Sequence, residues 1–303
     1  MIPAHSFTVV SLLLCTMLSW GMTEKPKTRT PSSSSPPRVA FEMLGEQSDG
    51  VSVQYFHLLY DRGRFRLENL GSARKRPELQ SILFYDGSKP PVVWGWNPTS
   101  GAAVASNTFR LLQVAAKRYG AVEAKHRYRL PAAMPIPIPP NEDLNAPPMP
   151  GNLCLTRADL PKRTWRKVGS EKVAGHSCAV YEAKETLRKP FVSIRDYGAT
   201  VEGNPTRSYR VWVEPRYQLV LRLEERIEYP NSPVPPMSQT MRVHRLHLLK
   251  SVPQSRFQLP AGSTAHIPEI LKDVRLPAGV KRVRMMGGFW GIGIDFHGYG
   301  RSR

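Results

Sequence analysis

The stretch RVWVEPRYQLVLRLEERIEY, residues 210–229, decides the fold that this sequence predicts. Apolar residues alternate with other residues in both halves of this stretch, and the first alternation begins one residue earlier, at Tyr209. These alternating apolar residues are Tyr209, Val211, Val213, Leu219, Leu221 and Leu223. Strand side chains point alternately to opposite faces, so each run has one apolar face. Pro215 separates the two runs, which predicts a β-hairpin whose apolar face is sheltered from water.

The same alternation recurs along most of the chain. The further alternating runs are RVAFEML (38–44), VSVQYFHLLY (51–60), RFRLENL (64–70), SILFYDGSKPPVVWGW (81–96), SCAVYEAKE (177–185), TMRVHRLHLLK (240–250) and RFQLPAG (256–262). Consecutive strands with short links are typical of an antiparallel meander. With roughly ten strands, the sequence predicts a mainly β (α+β) fold, namely a strongly curved antiparallel sheet or half-barrel with one or more helices as a plug or lid.

One helix is predicted among the strands. In SNTFRLLQVAAKRYG, residues 106–120, apolar residues recur at helical spacing at Phe109, Leu112 and Ala116. Gly120 suits the end of this helix. Its apolar stripe is expected to lie on the sheet or to close over whatever the sheet encloses.

The stretch PAAMPIPIPPNEDLNAPPMP, residues 131–150, has eight prolines in twenty positions. Proline at this density excludes both a helix and a central strand, so an extended loop is predicted. Met134, Ile136 and Ile138 alternate with proline and present apolar side chains on a stiff backbone. A plain linker between two half-sheets and a hydrophobic lid are both compatible with this pattern.

The N-terminal residues predict export. Residues 1–21 are typical of a signal peptide, because the first 23 residues contain no Lys, Arg, Asp or Glu and the apolar run FTVVSLLLCTMLSW is short for a membrane span. Residues 22–37 are rich in Ser, Pro and Lys, which predicts a flexible linker. Export favours a disulfide between Cys154 and Cys178, the two cysteines that would remain after cleavage. Two separate buried thiols are the alternative.

The chain is strongly basic, with a formal net charge of +19. A positive field of this size suits nucleic acid, an anionic membrane surface or an acidic partner, and export makes nucleic acid the least favoured. The predicted tail, residues 263–303, has seven basic and two acidic residues from Lys272 onward and ends in glycines and aromatic residues. Glycine at this density favours a mobile terminus, with a final strand as the alternative.

No catalytic or metal-binding pattern occurs in the sequence. It contains no nucleophile elbow, phosphate-binding loop, H-E-x-x-H or C-x-x-C motif. The eight histidines are scattered, and the closest pair, His244 and His247, is predicted to face opposite sides of a strand. We therefore expect no enzymatic activity, no cofactor and no metal.

Several of the alternating runs together resemble the LolA/LolB-like superfamily of envelope proteins. This superfamily includes outer-membrane lipoprotein-sorting proteins and the lipid-sensing domain of RseB-type sigma-factor regulators. The resemblance covers residues 38–262 and lies in the strand order and in the shape of individual phrases. These phrases are RVAFEML, LYDRGRFRLENL, SILFYDGSKPPVVWGWNP, KVAGHSCAVYEAKE, RVWVEPRYQLVLRLEERIEY and RFQLPAG. The most specific parts are RVWVEPRYQL and FQLPAG.

The resemblance implies a half-barrel domain at residues 38–262, wrapped against helices, with an apolar interior that receives acyl chains. The residues expected to line this cavity are Val39, Phe41, Met43, Phe65, Leu67, Ile82, Phe84, Val211, Val213, Leu219, Leu221 and Leu223. The residues expected to form its lid are Phe109, Leu112, Met134, Ile136 and Ile138.

The function implied by the resemblance is that of an exported, non-enzymatic protein of the bacterial periplasm or envelope. It would bind lipid or lipoprotein acyl chains, in the manner of an outer-membrane lipoprotein-sorting carrier. The alternative is an RseB-like envelope-stress regulator or scaffold that binds a membrane protein.

Overall fold

One large β-sheet accounts for most of the described residues. The computed structural model describes residues 39–72, 78–89, 91–105, 108–127, 148, 150, 153–187, 204–229, 235–268 and 274–286. Within these ranges the sheet has thirteen strands and is open, with an edge strand on each side. The predicted mainly β class, an antiparallel sheet accompanied by short helices, is therefore confirmed.

The strands alternate with short links for most of the chain. In chain order they are β1 (Ala40–Ser48), β2 (Val53–Asp61), β3 (Arg64–Leu70), β4 (Leu79–Tyr85), β5 (Trp94–Asn97), β6 (Ala102–Ala105), β7 (Arg166–Val173), β8 (His176–Thr186), β9 (Thr206–Glu214), β10 (Leu219–Glu228), β11 (Met237–Leu249), β12 (Ser263–Pro268) and β13 (Val280–Met286).

Two helices, α1 (Thr108–Tyr119) and α2 (Ala121–Arg127), lie between β6 and β7. α1 occupies the stretch that the helical spacing predicts. Gly120 separates the helices with a φ of +87°, a left-handed conformation that glycine adopts without strain. Neither helix has the length and apolar content needed to cross a membrane, and no other described helix has them.

The sheet consists of two antiparallel meanders that meet in its middle. The strand order is β13-β12-β6-β5-β4-β3-β2-β1-β11-β10-β9-β8-β7. The first meander runs outward from β1 to β6, whereas the second starts at the far edge with β7 and returns to the centre. There β11 pairs with β1 along nearly its whole length, from Ala40 with Leu249 to Ser48 with Thr240.

A bulge in β10 changes the pattern that the alternation predicts. The register with β9 shifts between Val220 and Arg222, because β10 has one residue more than its partner there. An inserted residue moves the side chains that follow it to the other face. Leu219 and Leu223 therefore lie on opposite faces, and the prediction that Leu219, Leu221 and Leu223 share one face is wrong.

The last two strands lie in the predicted tail and pair in parallel. After β11 the chain crosses the first meander, whose strands separate β11 from β12 in the sheet. β12 then pairs in parallel with β6, and β13 pairs in parallel with β12. The sheet thus continues beyond residue 262, and the glycine-rich residues 287–303 lie outside the described residues.

Gly279, just before β13, provides a test of how this edge is packed. Its φ is +95°, and a Cβ there would lie 2.3 Å from the Leu259 carbonyl oxygen. Gly262 also has a positive φ, +85°, but apart from its chain neighbours no described residue lies within 4 Å of the position of its Cβ. We expect Gly262→Ala to lower the free energy of unfolding by about 1–2 kcal/mol through backbone strain alone. Gly279→Ala should lower it further, because the Leu259 backbone must also move.

Urea unfolding of the two variants measures this difference. Equal losses of stability in Gly279→Ala and Gly262→Ala would contradict the close approach of Leu259 to Gly279.

Candidate functional site

An aromatic row defines one face of the sheet. Phe41, Tyr60, Phe65 and Tyr85 lie directly opposite one another on β1 to β4, and all four are buried. The rings of Phe41 and Tyr60 stack with their centroids 4.9 Å apart. We call the face that carries this row the apolar face and the other side of the sheet the opposite face.

Most of the predicted cavity residues belong to one buried cluster that includes this row. The members predicted from sequence are Phe41, Met43, Phe65, Leu67, Val211, Val213, Leu219 and Leu221, and the half-buried Val39 and Leu223 pack against them. Phe41, Phe65 and Val211 have exposed fractions of 0%. Side chains with no exposed surface are enclosed by other protein atoms, so these residues form a packed core. A ligand could reach them only by displacing part of the protein.

Two of the predicted lining residues lie elsewhere. Ile82 pairs with Glu68 and Phe84 pairs with Arg66, which places both on the opposite face. Phe84 belongs to a second buried cluster, together with Trp94 and residues of β6 and β12. The sheet itself therefore separates Ile82 and Phe84 from Phe41 and Met43 of β1 and from Phe65 and Leu67 of β3.

Residues 153–160, which we call the cover segment, pack onto the buried cluster that contains the aromatic row. Leu153, Leu155 and Leu160 belong to this cluster, with exposed fractions of 1%, 4% and 8%. These leucines are not among the residues predicted from the sequence to line a cavity or to form its lid. The signal available was the apolar alternation of Leu153 and Leu155 directly after the proline-rich stretch.

The cover segment occupies a place that β11 leaves free beside β10. β10 pairs with β11 only from Arg222 onward. Before that point the Arg157 N–H donates to the Gln218 carbonyl oxygen, and the Val220 N–H donates to the Leu155 carbonyl oxygen, both at 2.9 Å. An isolated antiparallel bridge joins Thr156 to Leu219 between these bonds. The cover is therefore attached to the sheet along a very short ladder.

A polar turn shapes the outer end of the cover segment. The Asp159 carboxylate accepts hydrogen bonds from the Thr156 N–H and hydroxyl, each at 2.8 Å. The Arg157 guanidinium lies 4.2 Å from the centre of the Tyr181 ring and donates to its hydroxyl at 3.2 Å. These local contacts let a short irregular segment hold a defined shape.

The predicted lid can be placed only in part. Leu112 of α1 is fully buried, with an exposed fraction of 0%, and Ala115 and Ala116 pack against Ala124 of α2. The Phe109 side chain and residues Met134, Ile136 and Ile138 lie outside the described residues. The lid therefore remains a prediction.

Cys154 and Cys178 are separate thiols, the second of the two alternatives that the sequence leaves open. Cys154 lies in the cover segment near the Asp159 carbonyl oxygen, and Cys178 lies in β8 near the His176 carbonyl oxygen. Burial raises the pKa of each thiol to about 11. Both are therefore protonated at neutral pH.

A histidine between two carboxylates marks the opposite face. The His57 ring nitrogens lie 3.0 Å from Glu68 and 2.7 Å from Glu42, and Arg66 donates to Glu68 at 2.8 Å. Hydrogen bonding to Glu68, then to Glu42, raises the pKa of His57 against the effect of burial. The hydrogen bond from His57, followed by that from Arg66, lowers the pKa of Glu68 to about 2. These contacts favour the charged form of all the partners.

Two further histidines extend this charged row. Because β11 has an inserted residue at His244, His244 and His247 both reach carboxylates of β1, Glu46 at 3.0 Å and Glu42 at 3.6 Å. The prediction that they face opposite sides is wrong, since a bulge breaks the strict alternation. In the described part of the chain no group of three His, Cys, Asp or Glu residues could hold a metal ion.

A small polar pocket lies next to this row. It has a volume of about 290 Å³ and lies between β3 and the chain that leads from β11 to β12. Arg66, Glu68, Arg256 and Gln258 are among its lining residues. Its polar lining does not suit an acyl chain.

The contacts of His57 with Glu68 and Glu42 predict a defined dependence of the free energy of unfolding on pH. A histidine whose pKa is raised on folding contributes stability that is fully present below its ordinary pKa of 6.5. This stability is lost as the pH rises through the raised pKa. Glu68, whose pKa is lowered to about 2, contributes stability that is fully present above its ordinary pKa of 4.5. This stability is lost as the pH falls towards 2. His57→Gln should therefore lower the free energy of unfolding most between these limits, by about 1 kcal/mol more than at alkaline pH.

Urea unfolding at about pH 5.5 and about pH 9 measures this effect. His244→Gln is the matched control, because His244 contacts one carboxylate and its side chain is 41% exposed. A loss of stability in His57→Gln that is the same at both pH values would contradict the arrangement.

Comparisons with known proteins give distant similarities. No family model matches the sequence, and no curated protein matches it. Among solved structures, an uncharacterized conserved protein from Thermus thermophilus is similar with a TM-score of 0.37 and 6% identity, over 82% of this chain and 91% of that chain.

Two other similar structures are those of named proteins. The MucA/MucB complex of Pseudomonas aeruginosa has a TM-score of 0.31 and 12% identity, over 75% of this chain and 56% of that chain. LprF from Mycobacterium bovis has a TM-score of 0.29 and 8% identity, over 74% of this chain and 90% of that chain. With TM-scores below 0.5, these similarities assign neither a family nor a function to this chain.

Proposed function

We propose that this chain is an exported, non-enzymatic binding protein that accommodates acyl chains of a lipid or lipoprotein between the apolar face of its sheet and the cover segment. One observation carries the proposal. Beside β10, the buried cluster is closed by a short irregular segment that inserts three leucines and is attached to β10 and the turn before it by two backbone hydrogen bonds. Such a segment can leave without disrupting the strand pairing of the sheet.

Replacement of the cover leucines by an acyl chain is close to balanced in free energy. Burial of about twelve methylenes contributes about 10 kcal/mol. Exposure of three leucines costs roughly 5–9 kcal/mol. Loss of two backbone hydrogen bonds adds about 1–3 kcal/mol. The two sides differ by a few kcal/mol, so a chain of this length could bind and still be released, as carriage requires.

The non-enzymatic part of the proposal is supported by the state of the thiols. A cysteine nucleophile reacts as the thiolate, and its pKa is lowered at catalytic sites. Here burial raises the pKa of Cys154 and Cys178 to about 11. Cys178 belongs to the buried cluster and Cys154 packs against it. These positions suit packing rather than covalent chemistry.

The envelope part of the proposal is supported by sequence. Residues 1–21 are typical of a signal peptide, and the net charge of +19 favours an anionic membrane surface as a place of exchange. The finer proposal, carriage of lipoproteins towards the outer membrane or exchange with a membrane protein, follows the resemblance described for residues 38–262.

A reversible cross-link tests the role of the cover segment. Thr156 and Leu219 form an antiparallel pair without direct hydrogen bonds between them, a position in which Cα atoms are about 4.5 Å apart and a disulfide can form. We expect Thr156→Cys/Leu219→Cys, made in a Cys154→Ser/Cys178→Ala background, to bind a fluorescent fatty acid at least about tenfold more weakly when oxidised than when reduced.

The background protein without the two new cysteines is the control and should bind equally in both states. Absence of fatty-acid binding by the unaltered and reduced proteins would overturn the proposed function. Binding that the cross-link leaves unchanged would overturn the cover segment as the point of entry.

A further inference from the structure

The two edges of the sheet differ in their chemistry. At one edge, β7 carries charges of both signs, and its Glu171 accepts hydrogen bonds from Arg210 at 3.0 Å and from Trp212 at 2.8 Å. Arg166 of the same strand lies 3.8 Å from Glu182. Mixed, paired charges on an edge strand discourage further strands from adding to it.

The other edge, β13, carries charge of one sign. Lys281, Arg282 and Arg284 are exposed and make no ion pair with any described residue. Neither β13 nor its neighbour β12 contains an acidic residue. The outer side of β13 pairs with no described strand. Among the described residues, a row of backbone groups without partners therefore lies next to a row of cations without neutralising carboxylates.

The opposite face brings an apolar row to the same edge. Trp96, Ala103, Ala265 and Val283 lie directly opposite one another on β5, β6, β12 and β13. Ala103 and Ala265 are fully buried, whereas Val283 at the end of the row is 45% exposed. Met285, the next residue on this face, is 51% exposed. The apolar row thus ends in side chains that one more strand would cover.

We propose that the outer edge of β13 is a docking site for an extended acidic segment of a partner polypeptide, which adds to the sheet as a further strand. Its acidic side chains would lie beside Arg282 and Arg284, and its apolar side chains beside Val283 and Met285. Directly opposite residues of neighbouring strands have Cβ atoms about 4.5–5.5 Å apart, which suits both kinds of contact. The partner sequence that fits is an alternation of Asp or Glu with Val, Ile or Leu.

The backbone groups favour a polypeptide over other anions. Main-chain hydrogen bonds to a sheet edge require the regular N–H and C=O spacing of another strand, and side-chain pockets on each face add specificity. A lipid head group or a nucleic-acid phosphate would neutralise the cations but would leave the edge unpaired. The proposal stands apart from the proposed acyl-binding function, because it uses neither the aromatic row of the apolar face nor the cover segment.

Fluorescence polarisation with synthetic peptides tests the proposal on the full chain. The probe is a labelled nonapeptide that alternates Glu and Val. Two comparison peptides keep its composition, one with the Glu and Val residues in separate blocks and one with N-methyl groups on alternate residues. We expect both comparison peptides to bind at least about tenfold more weakly, because one loses the facial alternation and the other loses backbone donors.

Variants of the two edges provide a matched pair. Arg282→Glu/Arg284→Glu should weaken binding of the alternating peptide at least about tenfold, through loss of charge-assisted contacts. Lys167→Glu/Lys172→Glu makes the same change of charge on exposed residues of β7 and should leave binding within about twofold. Equal effects of the two double variants would show attraction by net charge alone and would overturn the proposal.

Two further outcomes would also overturn it. One is equal binding of the alternating, block and N-methylated peptides to the unaltered protein, a result that does not depend on whether any variant folds. The other is competition in which phosphatidylglycerol vesicles or single-stranded DNA displace the peptide while N-methylation has no effect. That result would assign the edge to a membrane surface or a polyanion instead of a polypeptide.

Discussion

The pairing of β1 with β11 is the constraint on which the rest of the structure depends. These strands join two meanders from distant parts of the chain, and the buried cluster draws residues from both. Gly45 allows the close approach, because a Cβ there would lie 2.5 Å from the Arg242 carbonyl oxygen and from the Phe56 ring. A slip of one residue would move every side chain of one meander to the wrong face. The seam therefore aligns the apolar face as a whole.

A bulge in β10 and a bulge in β11 create the place that the proposed function uses. β11 bulges at His244, next to the seam, and β10 bulges near Leu221, where it parts from β11. Bulges bend strands and end their pairing. The cover segment enters where the two strands separate and supplies Leu155 to the cluster. The cover segment, attached by two backbone hydrogen bonds, thus has its place because of strand geometry. The strands on either side of it remain paired with their neighbours.

Alternation predicted the face of a residue well where strands pair without bulges. Phe41 and Phe65 were expected together and lie in one row, because β1 to β3 keep a regular register. The same reasoning failed for Phe84, since both faces of the sheet are buried near β4 and a pattern of alternation does not say which face a strand presents. It failed for His244 as well, because an inserted residue is invisible in a pattern of period two.

By itself, the sequence determined the local structure: strands where apolar residues alternate, a helix with its apolar spacing up to Gly120, a strongly basic chain, and the pairing of β9 with β10. These follow from side-chain periodicity and turn chemistry, which act over a few residues. Only the tertiary structure decided which strands meet, where the bulges lie, that Leu153 and Leu155 close the buried cluster, and that β13 forms a cationic edge. Those features depend on contacts between segments far apart in the chain, whose register is set by packing on two faces at once.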